Sequence, residues 1–296
     1  MIELVIPARK KDLGGFEVGR VLPFPQRRMV GPFIFLDHMG PADFAAGHGI
    51  DVRPHPHIGL ATVTYLFDGE IMHRDSLGST QAIRPGEVNW MTAGRGIVHS
   101  ERSDIAVRSK ASRLHGMQSW VALPVESEET NPAFSHHAAA DLAKFETRGV
   151  RGTLIAGTAY GLTSAVPTFS PMFYVYLELD PGARIDLPDG HEERGVYIVS
   201  GRVEASGAEY DSGNLLVFGP GASVIGTNES PARVMLLGGA SVGPRHIWWN
   251  LVSSSLERME EAKADWRAGR MKLPPDDDRE FIPLPEEPPQ APIHLM

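Results

Sequence analysis

Apolar and polar positions alternate along most of this chain, in short segments separated by Gly, Pro and Asp. Alternation with a period of two residues is typical of β-strands that bury one face. The clearest segments are ATVTYLFDGEI, GEVNWMTAG, GMQSWVALP, FYVYLELDPG, RGVYIVSGRV, NLLVFGPG and ARVMLLGG. Many short strands with turns between them and little helix predict a β-sandwich or β-barrel.

A helical pattern appears only near the end of the chain. Residues 256–270, LERMEEAKADWRAGR, combine good helix formers with a glycine near the end of the segment. Residues 273–296 are rich in proline and acidic side chains. We expect them to form an extended arm that packs on the body, with a disordered tail as the alternative.

The strand pattern also repeats weakly within the chain. TVTYLFDGEI (62–71) aligns without a gap with RGVYIVSGRV (194–203), and MTAGRGIVHSERS (91–103) aligns with FGPGASVIGTNES (218–230). The offsets of the two alignments differ by about one turn length. The simplest interpretation is two copies of one β-barrel.

This repeat sets the predicted domain boundaries. We expect an N-terminal barrel over 1–130, a linker over 131–164, a second barrel over 165–240, and a C-terminal helix and arm over 241–296. Two fused barrels can bury their mutual interface within one chain, which favours a monomer.

Composition excludes several classes of function. The chain of 296 residues contains no cysteine, so it has no disulfide, thiolate metal site or cysteine nucleophile. A formal net charge of −9 argues against binding to nucleic acid phosphates or anionic membranes. The N-terminal segment lacks the apolar core of a signal peptide, and no apolar run is long enough to span a membrane. We therefore expect a cytoplasmic protein.

Two histidines, His55 and His57, stand one residue apart just before a predicted strand. In a strand, positions i and i+2 point to the same face, so both imidazoles can reach one ion. An H-x-H pair is common by chance, and the prolines around it equally fit an edge-strand entry with exposed histidines.

A second pair strengthens the case for a metal. His99 and Glu101 are also at i and i+2. Two such pairs on neighbouring strands of a small barrel can converge on three nitrogens and one carboxylate oxygen. This set suits Fe(II), Mn(II), Ni(II), Co(II) or Cu(II), is compatible with Zn(II), and leaves coordination positions open. Redox chemistry with O2 is then a natural candidate.

The repeat supplies an internal comparison for these four residues. The second copy keeps the strand pattern but replaces every one of the predicted ligands. The residues at the aligned positions are Leu187, Asp189, Gly226 and Asn228. We therefore expect a metal in the first barrel and none in the second.

Three segments together resemble the pirin family of the cupin superfamily. They are HPHIGLATVTYLFDGEIMHRDSLGS, GEVNWMTAGRGIVHSE and HIWWNLVSSS, and the likeness extends over about residues 1–270. The resemblance implies an all-β fold of two tandem jelly-roll-type cupin barrels with one mononuclear metal in the N-terminal barrel. Carried over by motif, the ligands are His55, His57, His99 and Glu101, usually with iron.

The same resemblance implies a quercetin 2,3-dioxygenase, which would cleave a flavonol with O2 and release carbon monoxide. Glu101 would be both a ligand and the base that takes the flavonol hydroxyl proton. The alternative is a non-catalytic, metal-binding or redox-sensing regulator that acts through a protein partner. One departure stands out: Ala61 and Thr62 occupy the positions where the general cupin motif places a glutamate.

Other side chains receive simpler interpretations. We expect a neighbour to satisfy the hydrogen bonding of His73, rather than His73 to support a metal ligand. Gln118 and Trp120, like other large side chains in strands, are expected in the core. Asp37 and His38 are expected to form a hydrogen-bonded pair in a structural turn.

Overall fold

The computed structural model describes residues 1–12 and 16–286, and most of these lie in β-strands. In the first half of the chain the strands are β1 (Ile2–Pro7), β2 (Arg9–Asp12), β3 (Glu17–Leu22), β4 (Phe33–Phe44), β5 (Asp51–His57), β6 (Leu60–Asp68), β7 (Ile71–Asp75), β8 (Thr80–Ile83), β9 (Val88–Thr92), β10 (Ile97–Arg102), β11 (Ser112–Ala122) and β12 (Ala133–His137).

The remaining strands are β13 (Ala143–Thr147), β14 (Val150–Ala159), β15 (Leu162–Thr163), β16 (Met172–Leu179), β17 (Arg184–Asp186), β18 (Glu193–Ser200), β19 (Arg202–Ala205), β20 (Ala208–Asp211), β21 (Asn214–Phe218), β22 (Val224–Gly226), β23 (Ala232–Gly239), β24 (His246–Trp248) and β25 (Leu251–Ser253). The described α-helices are α1 (Ile105–Arg108) and α2 (Leu256–Arg267). None of the described helices has the length and apolar character needed to cross a membrane.

The chain forms two compact units. Unit 1 contains Met1–Met39 and His137–Ser241, and unit 2 contains Gly40–His136 together with the chain from Val242 onward. The predicted boundaries differ from this division. Strand β1 is part of unit 1 because it pairs antiparallel with β21. The predicted linker 131–164 contains β14, which pairs along most of its length with β16 of unit 1. The apolar side chains of β14 are buried there, so this segment is part of unit 1 and not a linker.

Unit 2 is built from two sheets. One has the strand order β5-β10-β7-β8, and the other has the order β12-β9-β6-β11-β4, with Gly40–Phe44 as the part of β4 in this unit. Strand β6 is buried over seven consecutive positions. Its small apolar residues alternate with Thr62 and Thr64, which share one face. Thr64 pairs across the sheet with Gln118, so this face is polar.

Unit 1 repeats that arrangement with an apolar interior. Its larger sheet contains the order β21-β18-β23-β16, which matches β9-β6-β11-β4, and β17-β22-β19-β20 matches β5-β10-β7-β8. The core between these strands is filled by aliphatic and aromatic side chains such as Val175, Leu216 and Leu236, none of them exposed. The predicted fold class, two tandem β-barrels followed by a helix, is confirmed.

The predicted arm packs on unit 2 where the structure describes it. The amide of Ile282 donates a hydrogen bond to the carbonyl of Pro54 at 2.8 Å, and the indole of Trp266 donates to the carbonyl of Ile282 at 3.0 Å. Arg102 of β10 binds the carboxylate of Asp277 through two nitrogens, at 2.7 and 2.9 Å. Residues 287–296 of the predicted arm lie outside the described residues.

Candidate metal centre

Strand β10 lies between β5 and β7, and its register brings the predicted ligands together. His99 pairs directly with His55, while Ile97 pairs with His57. Because side chains in strands alternate between faces, His55, His57 and His99 project from the same face of this sheet. All three are buried, with at most 6% of each side chain's surface exposed.

A tight turn fixes where β10 begins. Gly94 in this turn has a φ of +52°, a conformation that favours glycine. A Cβ there would lie 2.1 Å from the carbonyl oxygen of Thr130, so no side chain fits. The carbonyl of Gly94 accepts a hydrogen bond from the amide of Gly59 at 2.8 Å. The turn between β9 and β10 is thereby tied to the end of β5, which carries two of the histidines.

The three imidazoles form a compact cluster. One ring nitrogen of each lies within 4.8 Å of the corresponding nitrogens of the other two. The Nε2 atoms of His57 and His99 are 3.1 Å apart. Ring centroids are separated by 4.5 Å for His55 and His99 and by 5.0 Å for the other two pairs.

Backbone carbonyls fix the orientation of two of these rings. Nδ1 of His55 lies 2.9 Å from the carbonyl oxygen of Arg53, and Nδ1 of His57 lies 2.9 Å from that of Asn250. A carbonyl can only accept, so Nδ1 carries the proton in both rings and Nε2 keeps its lone pair. This is the arrangement by which proteins prepare a histidine to bind a metal.

Burial keeps the cluster neutral. It lowers the pKa of His55 to about 4, against a smaller opposite effect of the hydrogen bond to Arg53. Burial, followed by the charges of neighbouring imidazoles, holds the pKa values of His57 and His99 well below the ordinary value. Neutral imidazole is the form that ligates a metal.

The geometry fits a transition metal ion. Two nitrogen ligands at about 2.1 Å from an ion and at right angles to each other lie about 3 Å apart. The Nε2 atoms of His57 and His99 have this spacing. Nε2 of His57 has no proton, so this contact requires either a shared cation or a proton on Nε2 of His99.

Glu101 lies outside the three-histidine cluster. Its Oε1 atom is 3.4 Å from the hydroxyl of Thr64, which shares its one proton between this oxygen and the nearer Oε1 of Gln118 at 2.8 Å. Burial raises the pKa of Glu101 to about 7, although the hydrogen bond from Thr64 acts in the opposite direction. The prediction that Glu101 is a ligand stays a prediction.

Gln118 and Trp120 are buried and His73 is bonded by a neighbour, as expected, but all three also border the cluster. Trp120 meets His57 edge to face at 5.0 Å, and Gln118 bonds Thr64, so both border the cluster. His73 is bonded by Asp75, as expected of a neighbour, but its Nδ1 also lies 3.4 Å from Nδ1 of His99. The sequence does contain a signal for His73 and Asp75, because H-x-D at 73–75 is a third pair at i and i+2.

Asp37 and His38, predicted to pair with each other in a turn, lie in strand β4 and bond to other residues. Asp37 accepts two hydrogen bonds from Arg20, at 2.8 and 2.9 Å, and Nδ1 of His38 lies 2.9 Å from the hydroxyl of Tyr197. Adjacent residues of a strand point to opposite faces, which separates the two side chains.

In unit 1 the residues aligned with the predicted ligands make other contacts. Leu187 is buried in the apolar core, and Gly226 pairs with Arg184 across β17 and β22. The amide of Asn228 donates to Glu209 at 2.7 Å on the surface.

Comparison with known proteins agrees with the duplicated fold. A family model described as Pirin matches residues 15–121, and one described as Pirin C-terminal cupin domain matches residues 174–272. A pirin-like protein of Caulobacter vibrioides is 59% identical over 97% of this chain and 100% of its own length.

Two solved structures extend the comparison. A quercetin 2,3-dioxygenase from Acinetobacter baumannii has a TM-score of 0.89 and 35% identity, covering 97% of this chain and 96% of its own. The bacterial pirin YhhW from Escherichia coli, in complex with nickel(II), has a TM-score of 0.64 and 20% identity, covering 81% of this chain and 100% of its own. The second likeness shows a common fold. With both family models and a relative matched over its full length, the chain belongs to the pirin family.

Proposed function

We propose that this chain is a metal-dependent dioxygenase that cleaves a flavonol such as quercetin with O2. Three buried imidazoles with ring nitrogens within 4.8 Å of one another carry the proposal. The likeness to a quercetin 2,3-dioxygenase, at 35% identity over nearly the whole chain, supports the choice of substrate.

The ion would be held by His55, His57 and His99, with Glu101 as the proposed fourth ligand. A bound divalent metal would act as a Lewis acid on the flavonol oxygens and make reaction with O2 accessible. Iron(II) is our first candidate, and Ni, Mn, Co, Cu and Zn are alternatives compatible with the donor set. Nickel(II) has precedent in the complex of Escherichia coli YhhW.

Glu101 would take the proton of the flavonol 3-hydroxyl. In the site without an ion, burial raises the pKa of Glu101 to about 7, so its carboxylate is a stronger base than an exposed one. The hydroxyl of Thr64 lies 3.4 Å from the carboxylate and would orient it. The deprotonated flavonol is electron-rich, so its heterocycle can react with O2, open and lose carbon monoxide.

Aromatic side chains around the histidines would keep the site dry. Trp120 packs edge-on against His57, and Phe134 stacks on His73 at a centroid distance of 4.4 Å. Exclusion of water limits side reactions of the deprotonated flavonol.

Oxygen uptake with quercetin tests the proposal. Protein loaded anaerobically with Fe(II) should consume one O2 per flavonol and release carbon monoxide. The double variant His57→Ala, Glu101→Ala should be inactive, while His48→Ala, at an exposed histidine of the same unit, should retain the activity.

Absence of turnover with Fe, Ni, Mn, Co or Cu, in protein shown to hold the metal, would overturn the proposal. The family alternative, a metal-binding regulator that acts through a protein partner, would then take its place.

A further inference from the structure

Strand β7 carries a pair of side chains that faces the predicted ligands of β10. His73 and Asp75 are at i and i+2, and they pair across the sheet with Glu101 and His99 respectively. Both are buried, His73 at 4% exposure and Asp75 at 0%. A histidine and a carboxylate that are this deeply buried need hydrogen-bond partners within the protein.

The pair forms a series of contacts that ends at the three-histidine cluster. Nε2 of His73 lies 3.0 Å from Oδ2 of Asp75, and Nδ1 of His73 lies 3.4 Å from Nδ1 of His99. The other oxygen of Asp75 accepts hydrogen bonds from the amides of Leu77 and Ser79, at 2.9 and 3.1 Å. These amides hold the carboxylate in place.

One arrangement of neutral rings makes hydrogen bonds of both contacts between Asp75, His73 and His99. In the competing arrangement Nε2–H of His99 donates to His57, and two lone pairs face each other between His73 and His99. A carboxylate only accepts, so the proton of His73 lies on Nε2 and its Nδ1 offers a lone pair. That lone pair accepts from Nδ1–H of His99, which leaves Nε2 of His99 without a proton. Nε2 is the atom that lies 3.1 Å from His57 within the cluster.

We propose that Asp75 and His73 are positioning residues that fix His99 in the tautomer able to bind a metal through Nε2. The backbone carbonyls of Arg53 and Asn250 do this for His55 and His57. For His99, the side chains of His73 and Asp75 replace the backbone carbonyl, and we call these two residues the relay. The inference rests on the proposed role of His99 as a ligand, but the tautomer can be measured with or without a metal.

A purely structural role makes a different prediction. His73 stacks on Phe134 with an interplanar angle of 12°, so it would also fill space if it had no relay function. His73→Phe keeps an aromatic ring on Phe134 and removes both nitrogens. His73→Asn loses the stack but offers an oxygen near the position of Nδ1, which can accept from His99.

Nitrogen-15 NMR of metal-free protein with labelled histidine reads the tautomer directly. Wild type should show His99 protonated on Nδ1. In Asp75→Asn the new amide group must donate toward His73, because the remaining oxygen is held by the amides of Leu77 and Ser79. The proton of His73 then shifts to Nδ1, and that of His99 shifts to Nε2.

Chelator competition with Ni(II) or Zn(II) measures the consequence. Asp75→Asn and His73→Phe should weaken metal binding by about 10–100-fold, the usual effect of losing the partner of a metal-binding histidine. His73→Asn should recover most of the affinity. His48→Gln, at an exposed histidine, is the control and should match wild type.

Unchanged protonation of His99 in Asp75→Asn, or affinities of Asp75→Asn and His73→Phe within twofold of wild type, would overturn the relay. Loss of affinity in His73→Asn with wild-type affinity in His73→Phe would indicate that His73 acts by packing on Phe134. Equal losses in the two variants would overturn the relay as well. If wild type bound no metal, the proposed function would fail, while the NMR result would still decide whether the relay sets the tautomer. Should Asp75→Asn not fold, the two His73 variants give the same decision.

Discussion

Nε2 of His57 and Nε2 of His99 face each other at 3.1 Å across two paired strands, although 42 positions separate the residues in sequence. His57 has its proton on the opposite nitrogen, held by the carbonyl of Asn250. The two atoms are therefore prepared to share a cation, and the unfolded chain has no such arrangement.

Metal binding should stabilise the protein. A ligand that binds only the folded state adds about 2.7 kcal/mol at a concentration of a hundred times Kd. For a unit of this size that corresponds to a rise in Tm of roughly 5–10 °C. Thermal unfolding of metal-stripped protein with and without Ni(II) or Zn(II) measures the shift.

The matched variants for this measurement are His57→Ala and His48→Ala. His57→Ala should lose most of the shift, and His48→Ala should retain it because His48 is exposed. An equal shift in both variants would place the stabilising ion elsewhere on the protein.

Glu101→Gln should separate binding of the metal from proton transfer. The amide keeps an oxygen that can ligate, but it cannot take a proton. We expect kcat to fall by about 10²–10⁴-fold, the usual contribution of a general base. Metal content measured on the same sample should stay close to one per chain, and a kcat near that of wild type would exclude Glu101 as the base.

The arm should loosen at low pH. Burial raises the pKa of Asp277, but hydrogen bonds and charge from Arg102 outweigh it and hold that pKa below the ordinary value. A carboxyl group whose pKa is lower in the folded than in the unfolded protein stabilises the fold at pH values above its unfolded pKa of about 3.9. This stabilisation is lost as the pH falls through the folded-state pKa. The urea midpoint of wild type should therefore drop more between pH 6 and pH 3 than that of Asp277→Asn.

Asp278→Asn provides the control for this acid dependence. Asp278 is the exposed neighbour of Asp277, so its variant should follow wild type at both pH values. Identical pH dependence in Asp277→Asn and wild type would mean that the pair with Arg102 contributes nothing to acid stability.

A buried ion pair in unit 2 should be costly to break. Nε of Arg245 lies 2.6 Å from Oε1 of Glu128, and the two side chains are 1% and 7% exposed. Glu128→Gln leaves a buried guanidinium without its counter-charge, which costs about 3–5 kcal/mol. Urea denaturation measures the loss.

The adjacent Glu129 serves as the comparison. It pairs with Arg258 at 2.9 Å but is 56% exposed, so Glu129→Gln should cost no more than about 1 kcal/mol. Similar losses for the two variants would show that burial does not set the strength of these pairs.

The histidine cluster was predictable because its signal is local. His55 and His57, like His99 and Glu101, lie two residues apart, and the period of a strand places each pair on one face. The repeat was predictable for a similar reason, since its matched segments become strands of the same order in each unit.

The partners of these residues were not predictable in the same way. Nδ1 of His57 bonds the carbonyl of Asn250, 193 positions later, and a carbonyl is present at every residue. Thr64 reaches Glu101 from the facing sheet. Such contacts depend on how strands from distant segments pack, which alternation within one segment does not encode.

The pairing of β1 with β21 has a consequence for biosynthesis. Ile2–Pro7 is synthesised before Asn214–Phe218, so it waits for its partner strand until that later segment has been made. Unit 2 likewise draws on the chain from Val242 onward. Neither barrel can therefore be completed early in translation, and a gene fragment cut at residue 130 would encode parts of both and the whole of neither.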